Sequence, residues 1–170
     1  EFTYHEMMSH VALCSHPSPR RVLVVGGGDG GIVRELVRYE ILEKVTLVDI
    51  DEQVIEASRR FFPSVSCALD HPKVEIRPMD ALVYIKDHQD EFDVIIVDST
   101  DPDFIRYNAR LLGERKTCFI VSTKSGTTVE TLSLFRFFHE KMKALLGKEE
   151  AGRRFIAITD PGSPLAGLAE

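Results

Sequence analysis

Arg21-Val22-Leu23-Val24-Val25-Gly26-Gly27-Gly28-Asp29-Gly30-Gly31 is the stretch that decides the fold. Arg21 to Val25 is an apolar run without alternation, the pattern of a strand buried on both faces of a parallel sheet. The loop behind it satisfies G-x-G-x-x-G through Gly26, Gly28 and Gly31. Glycines there let the backbone approach a ligand and permit positive φ. A helix follows to about Tyr39. In this order the pattern reads as a nucleotide or nucleoside site, the alternative being a tight turn that needs glycine only for packing.

Outward from the loop, strands and helices alternate. Strands are predicted over Lys44 to Ile50, Val74 to Arg77, Phe92 to Val97, Thr117 to Ser122 and Arg154 to Thr159. Helices are predicted from Asp51 to about Phe62, Asp80 to Asp87, beyond Pro102 to about Leu112, and Thr127 to Leu146. Tyr4 to Cys14 has helical spacing, closed by the breaker cluster Ser15 to Pro19. Strict alternation predicts an α/β protein: a Rossmann-like, doubly wound parallel sheet of about six strands in three αβα layers. Functional groups should gather at the carboxyl ends of its strands. The one seam is near 98–105.

Composition narrows the function classes. A hydrophobic content of 44% supports a core. The net charge of −6, with no run of five or more Lys or Arg, argues against nucleic acid as the main partner. Three widely spaced cysteines, Cys14, Cys67 and Cys118, argue against a disulfide framework or a metal site and for a reducing cytoplasm. No apolar run is long enough to span a bilayer. The chain lacks an initiator Met and a signal-peptide pattern, and reads as a piece of something longer. Homo-oligomerisation stays open.

The acids choose the ligand. A dinucleotide would set its pyrophosphate at the helix N-terminus. A carboxylate such as Asp29 about 4 Å from a phosphate charge is repulsive by about 4 kcal/mol at an effective dielectric of about 20. Asp29 instead suits an ammonium or a sulfonium, and an S-adenosyl compound carries both; a plain helix cap is the other reading. Asp49 follows the loop by about 20 residues, the spacing of an acid that accepts both ribose hydroxyls. Asp51 reads as a helix cap. Asp80, in Met79-Asp80-Ala81, can accept from an adenine amino group or cap its helix.

Taken together, Phe2-Thr3-Tyr4-His5-Glu6-Met7, the Gly26 to Gly31 loop, Val48-Asp49-Ile50-Asp51, Met79-Asp80-Ala81 and Asp98-Ser99-Thr100-Asp101 resemble spermidine synthases in order and spacing. The resemblance covers about residues 1–102. It implies transfer of the aminopropyl group of decarboxylated S-adenosylmethionine, a co-substrate, to putrescine, without a metal. It implies that His5, Gly26, Gly28, Asp29, Gly30, Asp49, Asp80 and Ala81 touch the nucleoside. Tyr4, Asp98 and Asp101 would hold the diamine, with Asp98 as catalytic proton acceptor. Asp49 departs from the family's usual Glu, and its shorter reach puts the ribose contact in doubt.

Beyond Asp101 the resemblance ends. Cys118 to Thr131 (CFIVSTKSGTTVET) and Arg154 to Pro164 (RFIAITDPGSP) resemble the sugar-phosphate isomerase domain of bacterial glucose-6-phosphate isomerases. That likeness implies a sugar phosphate cradled by Thr123, Lys124, Ser125, Thr127 and Thr128 at a strand end before a long helix. The family's catalytic residues fall outside the matched stretch, so isomerisation is not implied. The chain then reads as one α/β domain of two halves, 1–102 and 103–170, joined at a strand end common to both families: an engineered chimera first, a spliced or mis-assembled gene second. Two functions compete. One is aminopropyl transfer weakened by the replaced second half; the other is a scaffold that binds nucleoside or phosphate without turnover.

Overall fold

The computed structural model describes residues 2–98, 102–111, 117–123 and 125–169, and all their side chains except those of Phe104 and Leu111. The chain divides into two compact units, Glu1–Ser99 and Thr100–Glu170, each described by itself.

In the first unit helix α1 (Phe2–Ser15) leads into β1 (Arg21–Gly26), α2 (Gly31–Leu36), β2 (Lys44–Asp49), α3 (Glu52–Phe61), α4 (Pro63–Ser66), β3 (Val74–Pro78), α5 (Ala81–Asp87) and β4 (Val94–Asp98). The strands form one parallel sheet in the order β3-β2-β1-β4. β1 is central, and Val22, Leu23 and Val24 are fully buried. This is what an apolar run without alternation requires, because both faces of a parallel strand are covered. Ile32, Val33 and Leu36 of α2 pack with Leu13 of α1 against β1 and β2.

Register places the site. Gly26, the last residue of β1, lies opposite Asp98, the last of β4. Asp49 closes β2 beside Pro78 of β3, and its carbonyl accepts the Met79 N–H at 3.0 Å. The carboxyl ends of all four strands therefore reach the same edge as the glycine loop.

The second unit holds α6 (Pro102–Leu111), β5 (Phe119–Ser122), α7 (Val129–Leu146), α8 (Lys148–Gly152), β6 (Phe155–Ile158) and α9 (Pro164–Ala169). β5 and β6 pair in parallel with Phe119 opposite Phe155, their rings stacked at 4.7 Å. Ala109, Met142 and Ala151 are buried among these aromatics.

The α/β class and the six parallel strands agree with the sequence reading. The described strands hydrogen-bond as a group of four and a group of two. Helix α2 stops at Leu36, three residues short of the expected end. Three short helices, α4, α8 and α9, went unpredicted, being too brief for a periodic pattern to register. Among the described residues no helix is long and apolar enough to cross a membrane.

Candidate active site

The loop between β1 and α2 is built from backbone geometry first. Gly26 has φ 76°, and a Cβ there would lie 2.2 Å from the Asp98 carbonyl oxygen. Only glycine permits both the left-handed turn and the close approach of β4. The turn closes with the Gly30 N–H donating to the Gly27 carbonyl at 3.0 Å, and Gly30 stands at the N-cap of α2.

Carboxylates then occupy the loop's amides. Asp49 Oδ2 accepts the Gly28 N–H at 2.9 Å, while Oδ1 accepts the Asp51 N–H at 3.0 Å. Asp29 Oδ1 accepts the Gly31 N–H at 3.0 Å, and Oδ2 meets His5 Nε2 at 3.0 Å. Asp29 thus ties the first residue of α2 to His5 and keeps a carboxylate at the loop. The Asp98 carboxylate lies next to Gly27.

Helix α1 supplies the other side. His5 is 4% exposed, and its Nδ1 has no hydrogen-bond partner among the described residues. The imidazole lies over Gly31, where a Cβ would come within 2.1 Å of Cε1. Any other residue at 31 would displace the ring. The Tyr4 hydroxyl donates to Asp98 Oδ1 at 2.7 Å. Burial pushes the Tyr4 phenol well above its ordinary range, and the hydrogen bond to Asp98 and the charges of Asp98 and Asp29 push the same way. Tyr4 thus stays a donor at neutral pH.

On the β3 side Asp80 caps α5, with Oδ1 accepting the Leu82 N–H at 2.7 Å, and Ala81 is the first residue of that helix. Asp51 caps α3 through the Gln53 N–H at 2.9 Å, as its sequence context requires. Of the residues named from the sequence, Tyr4, His5, Gly26, Gly28, Asp29, Gly30, Asp49 and Asp98 are joined through the loop and its contacts. Asp80 and Ala81 follow β3, the neighbour of β2. Asp101 and Lys124 lie outside the described residues.

Sequence reasoning missed Gly31 as the floor under His5. It also passed over Ile50, 78% exposed between Asp49 and Asp51. An apolar residue between two acids at a strand end was the available signal. Among the described residues no group of three His, Cys, Asp or Glu stands close enough to hold a metal ion.

In the second unit the predicted phosphate residues form a small hydroxyl cluster. Thr123 Oγ1 and Thr128 Oγ1 are 3.1 Å apart, and Ser125 Oγ and Thr127 Oγ1 2.7 Å. Thr128 precedes α7 without a side-chain capping bond, its hydroxyl engaged with Thr123 instead.

Comparison with known proteins follows the same lines. The polyamine aminopropyltransferase of Clostridium kluyveri is 54% identical over 102 residues, 60% of this chain and 37% of that protein. The spermidine synthase of Schizosaccharomyces pombe is 52% identical over 103 residues, 61% of this chain and 35% of that protein. The crystal structure of spermidine synthase from Thermotoga maritima superposes with a TM-score of 0.67 at 32% identity, covering 85% of this chain and 50% of that one. A spermidine synthase in complex with the transition-state analogue AdoDATO gives a TM-score of 0.67 at 31% identity, covering 85% and 52%. The chain thus spans about a third to a half of the length of these relatives. A family described as "Spermine/spermidine synthase domain" matches residues 1–146. That span reaches beyond residue 102, where the sequence reading ended the likeness, and takes in β5 and all of α7. Matched over most of its length, and with the loop, acids and strand-end register described above, the chain belongs to the spermine/spermidine synthase family.

Proposed function

We propose that this chain binds an S-adenosyl compound at the glycine loop and transfers the aminopropyl group of decarboxylated S-adenosylmethionine to putrescine. One observation carries the reading: Asp29 and Asp49 bind loop amides while Asp98 adjoins Gly27. A loop ringed by carboxylates repels a pyrophosphate and attracts a sulfonium and an ammonium. In this reading Asp49 takes the ribose hydroxyls, Asp80 and the Ala81 amide take the adenine, and Tyr4, Asp98 and Asp101 take the diamine.

The chemistry follows from the residue types. A protonated amine has no lone pair for carbon. Asp98 binds the ammonium and accepts its proton, with Tyr4 holding the other carboxylate oxygen. The freed lone pair attacks the methylene beside the sulfonium. The C–N bond forms as the C–S bond breaks, and methylthioadenosine leaves as a neutral thioether. Charge is lost at sulfur, so placement of the two reactants governs the rate. If the segment after Asp101 is a replacement, turnover is weak beside nucleoside binding, because the diamine's far ammonium then lacks its wall. We place the protein in a reducing compartment, in keeping with its three free cysteines.

The test is spermidine formation from decarboxylated S-adenosylmethionine and putrescine, with calorimetric binding of methylthioadenosine. Binding of NAD with none of methylthioadenosine rejects the reading. Methylthioadenosine binding without turnover favours the scaffold.

A second reading concerns the tail. The paired hydroxyls of Thr123, Thr128, Ser125 and Thr127 before α7 suit a sugar phosphate, with Lys124 as the matching cation. This is the reading under which the chain is a crossover with an isomerase domain. Sugar-phosphate titration tests it.

A further inference from the structure

Tyr4 and His5 each reach a different acid, so the way α1 is held decides whether both contacts exist. The means of holding it is a buried carboxylate outside the site. Glu35 on α2 is 3% exposed. Its Oε1 accepts from Arg34 Nε at 2.9 Å and lies 2.8 Å from Arg34 Nη2; its Oε2 accepts from Arg38 Nη1 at 2.5 Å. Burial pushes its carboxyl up, but the bonds from Arg38 and Arg34 outweigh this and hold it below the usual range. It is therefore a carboxylate at neutral pH.

From that anchor two contacts run to α1. Arg34, oriented by Glu35, sets its guanidinium over the Phe2 ring at 4.4 Å and also donates to the Ser64 carbonyl at 3.3 Å. Glu35 Oε2 lies 3.6 Å from His10 Nε2, whose Nδ1 meets the Tyr39 hydroxyl at 2.8 Å. Phe2 and His10 are about two helical turns apart, ~12 Å along the axis. Tyr4 and His5 sit between them. Next to His10, the Ser9 hydroxyl donates to the Ile32 carbonyl at 3.3 Å.

We infer that Glu35 is a positioning residue: by holding both ends of the α1 segment against α2, it sets the phenol of Tyr4 on Asp98 and the imidazole of His5 on Asp29. The inference rests on the aminopropyl-transfer reading only for its kinetic consequence. The geometry makes no such demand.

The experiment labels tyrosine at Cζ with carbon-13 and follows the Tyr4 signal, assigned by Tyr4→Phe, at neutral pH. Asp98→Asn marks where that signal lies once the carboxylate partner is gone. In Glu35→Gln the Tyr4 signal moves most of the way toward its Asp98→Asn position. In Phe2→Ala, a change at a half-exposed side chain that leaves the fold intact, it moves the same way by less. Where the parent forms spermidine, Glu35→Gln lowers kcat roughly 100-fold, as misplacement by about 1 Å can, with methylthioadenosine affinity retained. A parent without turnover rejects the transfer reading and leaves Glu35 to be judged by the Tyr4 signal alone. A Tyr4 signal at the parent position in a folded Glu35→Gln protein, or in Phe2→Ala should Glu35→Gln not fold, overturns the inference.

Discussion

The Tyr4 hydroxyl donates to Asp98 Oδ1 across 2.7 Å, joining the first turn of α1 to the last residue of β4. Removing the hydroxyl alone should leave the loop and its acids in place. A hydrogen bond to a charged group is worth about 1.5–3 kcal/mol, so Tyr4→Phe should slow spermidine formation by one to two orders of magnitude. Asp98→Asn should abolish it, with methylthioadenosine binding preserved in both. If the parent is inactive, putrescine affinity is the measurement, and Tyr4→Phe should weaken it. Unchanged values would separate Tyr4 from the diamine.

Asp49 has two duties, one to the Gly28 and Asp51 amides and a proposed one to the ribose. Asp49→Ala should weaken methylthioadenosine binding by roughly 1–3 kcal/mol, the cost of unpaired polar groups. NAD should bind neither protein. Calorimetry decides both points, and equal methylthioadenosine affinity in the variant would leave Asp49 as a loop restraint only.

Gly31 is the floor under His5. A methyl group at 31 would lie 2.1 Å from the ring's Cε1, so Gly31→Ala should force His5 off Asp29. The far-ultraviolet circular dichroism should be retained while methylthioadenosine affinity falls, because the loop loses its contact with α1. A variant that keeps parental affinity would mean that His5 can move without consequence.

Acid stability follows from two held carboxylates. Glu35 is kept low by Arg38 and Arg34 against burial. Asp93 is kept low, also against burial, by the backbone N–H groups of Arg21 and Arg20, at 2.9 and 2.8 Å. A depressed folded pKa contributes stability that is complete above the unfolded values, about 4.3 for Glu and 3.9 for Asp. It is lost as pH falls through the lower folded values. Thermal melts should therefore change little between pH 7 and about 5 from these groups and fall steeply below about 4. Glu35→Gln should be less stable at pH 7 and lose less on acidification. An equal acid slope in parent and variant would show that Glu35 titrates alike folded and unfolded.

The tail hydroxyls give a simpler prediction. Titration with inorganic phosphate, followed by amide shifts, should perturb Thr123, Ser125, Thr127 and Thr128 together. Shifts elsewhere, or none, would mean that these hydroxyls serve one another.

What the sequence alone determined lies in short stretches of chain. The unbroken apolar run Val22 to Val25 required a strand covered on both faces. The Gly26 to Gly31 pattern required a turn closed by backbone, and Asp51 capped α3 from its place before the helix. Such features depend on dihedral limits and on hydrogen bonds spanning two or three residues, so they are legible in one dimension. What the tertiary structure decided depends on register and docking. That Gly26 faces Asp98 follows from how β1 and β4 pair, and that Tyr4 and His5 reach two different acids follows from how α1 lies on α2. The grouping of the six described strands as four and two was equally silent in the sequence, because strand pattern reports burial and not partner. Glu35 shows the limit most clearly: nothing in the sequence singles it out beside Arg34 and Arg38, and only packing takes that carboxylate out of water.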